Sequence, residues 1–272
     1  MSYELIDTGT EEKLERFGDY TLIRPCPQAL WKPQAPQLWK NAHATFERGK
    51  PWKGIPKKWT LSYKTINFKI IPTDFGHLGL FPEHSEHWEW MNSHLKPQSE
   101  VLNLFAYSGA ATLYLAKQGH QVCHLDAAKG MIDWGRENAA LNHLQKAPIR
   151  WIVDDALKFI KREIKRNRRY DALLLDPPTF GRGAQGQVFK IEEDLPILLS
   201  HCREILNPNL SFVLLTCHTP GLTPKVLENL LRDAFPNHSI TSGEMLLPSK
   251  EGFDLPSGSF ARLGSSQGLN LR

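Results

Sequence analysis

The chain has 272 residues, of which 41% are hydrophobic and 23% charged, and its formal net charge is +4. This composition indicates a globular chain long enough for one sizeable core and a smaller appended region, with too mild a charge to indicate a polyanionic partner by itself. The sequence contains no run of about 18 apolar residues, which excludes a membrane-spanning helix, and its first twenty residues carry acids without an apolar stretch. We therefore expect a cytoplasmic protein that does not bind membranes.

The first 96 residues show little helical periodicity, and only two short strands are indicated, WTLSY and INFKII. We predict a β-rich N-terminal region over residues 1–96. Residues 40–69 carry eight basic residues against one acid, a net charge of +7. Half of the tryptophans lie in or beside this stretch: Trp31, Trp39, Trp52 and Trp59. Basic and aromatic side chains together suit RNA binding, although the tryptophans could equally form the core of a small domain.

From residue 101 onward, apolar runs of strand length alternate with helix-length amphipathic stretches. In chain order they are VLNLFAY, AATLYLAKQG, QVCHLD, AKGMIDWGRENAALN, PIRWIVDD, ALKFIKREIKRN, DALLLD, IEEDLPILLSHCREIL, SFVLLT and TPKVLENLLRDAF. Five βα units predict an α/β fold with a Rossmann-like, mostly parallel sheet of seven strands, completed by a C-terminal antiparallel hairpin. We place this domain at 97–265 and a loose tail at 266–272.

The turn after the first strand of this domain indicates the class of cofactor. A dinucleotide needs GxGxxG there, whereas NLFAYSGAAT contains a single glycine, Gly109. S-adenosylmethionine has no phosphate and would not need that motif. The second strand ends at Asp126, 21 residues beyond Phe105, where an acid can reach ribose hydroxyls. Asp154 and Asp155 end the third strand, where a carboxylate can accept a hydrogen bond from the adenine amino group; either acid could instead cap the next helix, and we expect this of Asp154.

The fourth strand delivers Asp176 to the same edge of the sheet, followed by Pro177 and Pro178. The prolines fix their own φ angles and hold the carboxylate still, so that it can accept a hydrogen bond from a planar substrate. Phe180 offers a face for stacking that ring, and the glycines at 181 and 183 let the loop bend around it. The alternative interpretation is a proline-stiffened turn with a helix cap.

The remaining titratable side chains predict neither a disulfide framework nor a metal site. Cys26, Cys123, Cys202 and Cys217 lack CxxC spacing, so we expect free thiols. Three histidines lie close together in the chain without a ligand pattern, which is typical of a loop or a helix face: His77, His84 and His87. We expect no bound metal.

Residues 76–264 resemble the class I S-adenosylmethionine-dependent methyltransferases, and more narrowly the bacterial 23S ribosomal RNA methyltransferases that modify cytosine C5 or guanine N7. The resemblance is carried by VLNLFAYSGAATLYLA, the strand end at Asp126, VDDALKF, LDPPTF and LLTCHTPG. It implies that the first turn lines the cofactor through Phe105, Ala106, Tyr107, Ser108 and Gly109. It also implies that Asp126 and Asp155 hold ribose and adenine, and that Asp176 contacts the cofactor and faces the target base.

Two further elements of the resemblance concern the segment before the first strand and the end of the fifth. In GHLGLFPEHSEHW, Phe81 and Glu83 match residues that close over the cofactor, while His84 replaces the usual glutamine. Cytosine-modifying relatives carry a cysteine in the element matched here by TCH. A thiolate added at cytosine C6 makes C5 nucleophilic, so Cys217 is a candidate nucleophile, although a buried packing role is about equally compatible with its position.

We therefore predict an S-adenosylmethionine-dependent RNA methyltransferase, with ribosomal RNA cytosine C5 as its target and Cys217 and Asp176 as catalytic residues. Pro177, Pro178 and Phe180 are the predicted substrate contacts. The alternatives are a methyltransferase acting on guanine N7 or on a small molecule, and a non-catalytic RNA-binding protein that uses the same fold.

Overall fold

The computed structural model describes residues 2–182, 186 and 188–264, so the glycine at 183 and the expected tail at 266–272 lie outside the described residues. The chain divides into two compact units. The first unit comprises Met1–Glu83, Ala140–Asn142 and Leu246–Ser257. The second unit comprises His84–Ala139, His143–Met245 and Gly258–Arg272. The expected boundary at 96/97 thus lies within the second unit.

The strands and helices follow one another along the whole described chain. The strands are β1 (Tyr3–Gly9), β2 (Glu12–Phe17), β3 (Tyr20–Pro25), β4 (Ala44–Thr45), β5 (Trp59–Tyr63), β6 (Ile66–Ile70), β7 (Glu100–Leu104), β8 (Gln121–Asp126), β9 (Ile149–Val153), β10 (Ala172–Leu175), β11 (Phe180–Arg182), β12 (Val188–Lys190), β13 (Phe212–Cys217), β14 (Ile240–Leu247) and β15 (Leu255–Gly264). The helices are α1 (Pro36–Trp39), α2 (Glu86–His94), α3 (Ala110–Lys117), α4 (Lys129–Leu141), α5 (Ala156–Lys165), α6 (Ile191–Glu204) and α7 (Pro224–Ala234). A 3-10 turn covers Pro82–Ser85.

The first unit is built on two small sheets. Strands β1, β2 and β3 pair antiparallel, β4 joins β3 in parallel, and β5 pairs antiparallel with β6. The sequence predicts β5 and β6 but not β1–β3, because these strands bury charge where apolar residues would mark them. Glu15 of β2 is fully buried and forms an ion pair with Arg24 of β3 at 2.7 Å. A buried pair of this kind interrupts the alternation on which strand prediction depends.

The second unit contains the predicted seven-stranded sheet, in the order β14-β15-β13-β10-β7-β8-β9. The first five predicted strands, β7, β8, β9, β10 and β13, are mutually parallel, and β15 pairs antiparallel with β13. Alternate side chains of one sheet face join a large apolar cluster with α5, α6 and α7. The predicted α/β architecture and its C-terminal antiparallel edge are therefore confirmed.

Two elements of the second unit are not predicted by the sequence. Helix α2 buries His87, Trp88 and Met91 but exposes much of the remainder, so its apolar stripe is too narrow to be recognised. The hairpin of β11 and β12 follows Asp176 and its two prolines, where the sequence indicates only a loop. Within the described part of the chain, no helix is both long and apolar enough to cross a bilayer.

Candidate functional site

The ends of four parallel strands place the predicted site residues of the second unit at one edge of the sheet. In spatial order these strands are β10, β7, β8 and β9, and Asp176, Phe105, Asp126 and Asp155, respectively, lie at or within two residues of their carboxyl ends. Adjacent strands lie about 4.8 Å apart, so the row from Asp176 to Asp155 extends over about 14 Å. The carboxyl edge of an open α/β sheet is where ligands bind, and this row is long enough for an extended nucleoside.

The turn between β7 and α3 has an unusual backbone. Phe105, Tyr107 and Gly109 have φ angles of 55°, 50° and 91°, all in the left-handed region. Two of the three are not glycines, and a left-handed backbone is uncommon for residues that carry a side chain. The turn is held by the Ala106 N–H, which donates to the Leu125 carbonyl at 3.0 Å. Ser108 is buried, and its carbonyl accepts a hydrogen bond from Asn138 at 2.9 Å.

Asp126, at the end of β8, fixes this turn. One carboxylate oxygen accepts the Tyr107 N–H at 3.0 Å, and the other accepts the Ala128 N–H at 2.9 Å. Burial raises the pKa of Asp126, and the two N–H groups only partly offset that rise. A carboxylate has about four acceptor positions, so the remaining lone pairs can still receive two hydroxyl groups. The geometry is therefore compatible with ribose recognition.

The helix cap after β9 is Asp155, and not Asp154 as the sequence predicts. The helix α5 is capped by Asp155, whose side chain accepts the Lys158 N–H at 2.9 Å. Asp154 instead forms an ion pair with Arg162 and accepts the Asp155 N–H at 2.9 Å. The expected cap at Asp154 is thus wrong, because both acids follow the strand and sequence cannot tell which φ and ψ angles each adopts. Adenine recognition by Asp155 stays a prediction.

Asp176 is held at the end of β10 by neighbours from distant parts of the second unit. Thr216 donates a hydrogen bond to one carboxylate oxygen at 2.8 Å, while His84 Nε2 lies 3.4 Å from the other. Burial alone would raise the pKa of Asp176, but the two nearby imidazoles, His84 and His218, and the hydrogen bonds from His84 and Thr216 outweigh it, and the net shift is strongly downward. The side chain is therefore an ionised acceptor, 28% exposed.

The residues after Asp176 present an aromatic face to solvent. Pro177 is buried and Pro178 exposed, and Phe180 at the start of β11 is 51% exposed. The Arg182 guanidinium lies 5.7 Å from the centre of the Phe180 ring. A rigid carboxylate followed by a half-exposed aromatic ring can accept from, and stack on, a flat heterocycle.

Cys217, the last residue of β13, lies on the other face of the sheet from Thr216. Its side chain is 1% exposed and belongs to the apolar cluster that contains α6 and α7. Burial raises the pKa of this thiol, and the hydrogen bond from the Thr219 N–H at 3.3 Å does not reverse the rise. Reactive thiols are exposed and have a lowered pKa, so this position weighs against a nucleophilic role. All four cysteines are free thiols, as predicted, and the structure shows that all four are buried.

Phe81 and Glu83 lie in the first unit, whereas the turn residues 105–109 lie in the second. The Phe81 ring packs edge-on against His77, with 5.3 Å between ring centres. Glu83 is buried and acts electrostatically on Tyr3 and Arg24. A contact of Phe81 or Glu83 with the cofactor stays a prediction.

The basic residues of the stretch 40–69 are mostly exposed to solvent, whereas the tryptophans in or beside it form hydrogen bonds inside the first unit. Seven of its eight basic residues are exposed: Lys40, Arg48, Lys50, Lys53, Lys57, Lys58 and Lys64. The indole N–H groups of the four tryptophans all donate hydrogen bonds within the first unit. Trp31, Trp39, Trp52 and Trp59 donate to Thr8, Asp7, Thr73 and Phe17, respectively. The tryptophans therefore act as structural residues, and the exposed charges are what this surface offers to a polyanion.

His124, a buried histidine of β8, should make the stability of the protein depend on pH. It is fully buried in β8, hydrogen-bonded to Thr112 at 2.9 Å, and burial lowers its pKa to about 3. In the unfolded chain the imidazole takes up a proton near pH 6.5, whereas in the folded protein it stays neutral until about pH 3. The contribution of His124 to the free energy of unfolding is therefore fully present above pH 6.5 and falls by about 1.4 kcal/mol per pH unit as the pH decreases toward 3. We expect His124→Asn to reduce this slope in denaturant titrations between pH 6.5 and 4. An unchanged slope would show that His124 does not contribute.

Comparisons with known proteins agree with this geometry. Residues 49–251 match the family model described as "S-adenosylmethionine-dependent methyltransferase". The crystal structure of a SAM-dependent methyltransferase from Agrobacterium tumefaciens is 38% identical, with a TM-score of 0.93 over 97% of this chain and 91% of that one. A Streptococcus mutans protein described in the same terms is 17% identical, with a TM-score of 0.76 over 96% and 75% of the two chains, and shows the fold alone.

A relative by sequence carries a more specific name. The ribosomal RNA large subunit methyltransferase K/L of Pseudoalteromonas atlantica is 32% identical over 143 residues. The matched segment covers 52% of this chain but only 20% of that protein. The likeness therefore concerns one part of a much longer enzyme.

Proposed function

The chain belongs to the S-adenosylmethionine-dependent methyltransferase family, and we propose that it methylates an RNA base that is positioned against Asp176. The observation that carries the proposal is the row of strand ends in the second unit. In this row the ionised carboxylate of Asp176 ends the strand next to the one that leads into the cofactor turn, and Asp126 supports that turn from the following strand. Family membership makes the protein an enzyme, so a non-catalytic role for the fold is not retained.

The residues present fit S-adenosylmethionine. The cofactor supplies an electrophilic methyl group on a sulfonium sulfur. The left-handed turn at residues 105–109 offers backbone groups without the glycines that a diphosphate needs. Asp126 would accept the ribose hydroxyls, and Asp155 would accept the adenine amino group with lone pairs not used for capping α5.

The target base would be held by Asp176 and Phe180. The carboxylate is kept in place by Thr216 and by the buried ring of Pro177, so little motion must be lost when a base N–H donates to it. Stacking on the exposed face of Phe180 would fix the plane of the ring. Both groups follow β10, next to the strand that leads into the cofactor turn.

An RNA substrate is supported by two independent observations. The exposed cations of residues 40–64 suit a phosphate backbone, and the relative from Pseudoalteromonas is named for ribosomal RNA. RNA of the large ribosomal subunit is the substrate that we propose. An action on ribosomal RNA would also agree with the cytoplasmic location predicted from the sequence.

Removing part of the basic surface tests the RNA assignment. Lys57 and Lys58 are adjacent and exposed in the first unit. If both contact phosphates, the double change to alanine should raise KM for RNA about tenfold at low salt and reduce the slope of log KM against log salt by about 1.4. Cofactor affinity should not change. The matched control is Lys225→Ala on α7; an identical KM for the double variant and this control would contradict the proposed surface.

The identity of the methylated atom depends on Cys217. Cytosine C5 requires a thiolate adduct, whereas guanine N7 carries a lone pair that attacks the methyl group directly. The burial and raised pKa of the Cys217 thiol favour a ring nitrogen such as guanine N7 over cytosine C5. Cytosine C5 stays a prediction from the family resemblance.

We expect Cys217→Ser to keep at least about half of the wild-type kcat on RNA, because a buried packing residue of similar size is being replaced. Methyl transfer to RNA from labelled S-adenosylmethionine measures this, with Cys202→Ser as the control for replacing a buried thiol. A fall in kcat of more than about 100-fold for Cys217→Ser alone would restore the thiolate mechanism.

A further inference from the structure

Three side chains that lie far apart in the sequence meet beside the sheet edge of the second unit. They are His84, Asp176 and His218, and one ligand atom of each lies within 4.8 Å of the others. The Nε2 atoms of the two histidines are 3.2 Å apart. The Asp176 Oδ2 atom is 3.4 Å from His84 Nε2 and 3.9 Å from His218 Nε2. All three atoms thus face one point.

The dimensions of this triangle match those of a metal site. A triangle with sides of 3.2, 3.4 and 3.9 Å has a circumradius of about 2.0 Å, so one point lies about 2.0 Å from all three atoms. Zinc binds histidine nitrogen at about 2.0–2.1 Å and carboxylate oxygen at about 2.0–2.2 Å. Two imidazoles and one carboxylate are also a ligand set that zinc and neighbouring divalent metals prefer.

The surroundings orient these ligands. Thr216 donates to the second oxygen of Asp176 at 2.8 Å, which leaves Oδ2 directed toward the histidines. The backbone of Gly258 lies against the other side of the His218 ring, since a Cβ there would come within 3.0 Å of its Nδ1 atom. Hydrogen bonds and contacts to the outer atoms of metal ligands are what fix their orientation in known sites.

From this arrangement we propose that His84, Asp176 and His218 bind a divalent transition-metal ion such as Zn²⁺. An ion displaced slightly out of the plane of the three protein ligands would have room for one water or solute as the fourth ligand of a tetrahedral site. The sequence predicts no metal because the ligands are separated by more than forty residues each, and only the fold brings them together. A second consequence rests on the proposed function: the ion would occupy the carboxylate that the target base needs, so zinc should inhibit methyl transfer.

Binding of Co²⁺ and Zn²⁺ to the tag-free chain of 272 residues, without cofactor or RNA, tests the site. We expect one saturable equivalent of Co²⁺ per chain, with the visible absorption of a four-coordinate ion, displaced by Zn²⁺. His84→Gln and His218→Asn should each lower the affinity more than about 100-fold, because even outer contacts contribute 10–100-fold. The control His201→Ala removes a histidine that lies beside a carboxylate, Glu204, at 3.3 Å, and should bind normally.

Cofactor binding and the thermal midpoint of each variant show whether it is folded. The absence of saturable Co²⁺ binding to the wild type, or equal affinity in the wild type and both histidine variants, would overturn the metal site. Inhibition is measured separately, as the ratio of rates with and without Zn²⁺ for each protein. We expect the ratio to fall for the wild type and to stay near one for His218→Asn. If zinc bound to His84, Asp176 and His218 without changing the rate, the proposal that the ion and the target base both use Asp176 would be wrong.

Discussion

Replacing Asp176 by alanine should reduce kcat for RNA methylation by at least about 100-fold, a larger loss than the fall in cofactor affinity, because Asp176 is the predicted contact of both the base and the cofactor. In the proposed complex this carboxylate accepts a hydrogen bond from the target base, and a bond to a charged acceptor contributes about 1.5–3 kcal/mol. Misplacement of the base adds to this loss, since a small displacement of a reacting atom can lower the rate by about 100-fold. Single-turnover methyl transfer and calorimetric titration of the cofactor measure the two quantities.

Two companion variants separate positioning from charge. Asp176→Asn keeps one acceptor oxygen and should lose less activity than the alanine variant. Thr216→Val removes the hydrogen bond that holds the carboxylate at 2.8 Å and should lower kcat about tenfold through Asp176. If Asp176→Ala retained most of the wild-type kcat, the assignment of the target base to this carboxylate would be wrong.

Replacing Asp126 by alanine should weaken S-adenosylmethionine binding by at least about 100-fold, or about 3 kcal/mol. Two effects combine. The ribose would lose its charged acceptor, and the turn would lose the hydrogen bond from the Tyr107 N–H at 3.0 Å that supports its left-handed backbone. Asp126→Asn keeps one oxygen acceptor, so its affinity for the cofactor should lie between those of the wild type and the alanine variant.

The control for Asp126 is Asp133→Ala on α4. Asp133 is a half-buried acid that pairs with Lys129 at 2.5 Å in the same unit. Calorimetric Kd values for the cofactor compare the two variants, and the heat of unfolding shows whether each is folded. Equal Kd values for Asp126→Ala and Asp133→Ala would contradict the ribose assignment.

The central strands of the sheet could be predicted because they are apolar runs buried on both faces. Strand β10 is ALLL and β13 is FVLLTC, and each ends in a polar residue or a turn. Such runs identify buried parallel strands joined by right-handed βα connections, whereas the order of the strands is known from the structure. The strands of the first unit show a weaker hydrophobic pattern, because charged pairs such as Glu15 and Arg24 occupy buried strand positions.

The site could be predicted only in part, because strand ends are visible in sequence but side-chain directions are not. Asp126 and Asp176 lie where the pattern predicts, whereas Asp155 rather than Asp154 caps α5. The direction of Cys217 is set by alternation along β13, and a shift of one residue would reverse the face that it occupies. His84 and His218 meet across 134 positions of the chain, a juxtaposition that no local pattern reports.

The most direct test of the account is to incubate the protein with methyl-labelled S-adenosylmethionine and unmodified large-subunit ribosomal RNA, and to digest the RNA to nucleosides. We expect the label in a single modified nucleoside, and its absence when Asp176→Ala is used in place of the wild type. A label confined to small molecules or protein, or an equal label with the Asp176 variant, would contradict methylation of an RNA base at this carboxylate.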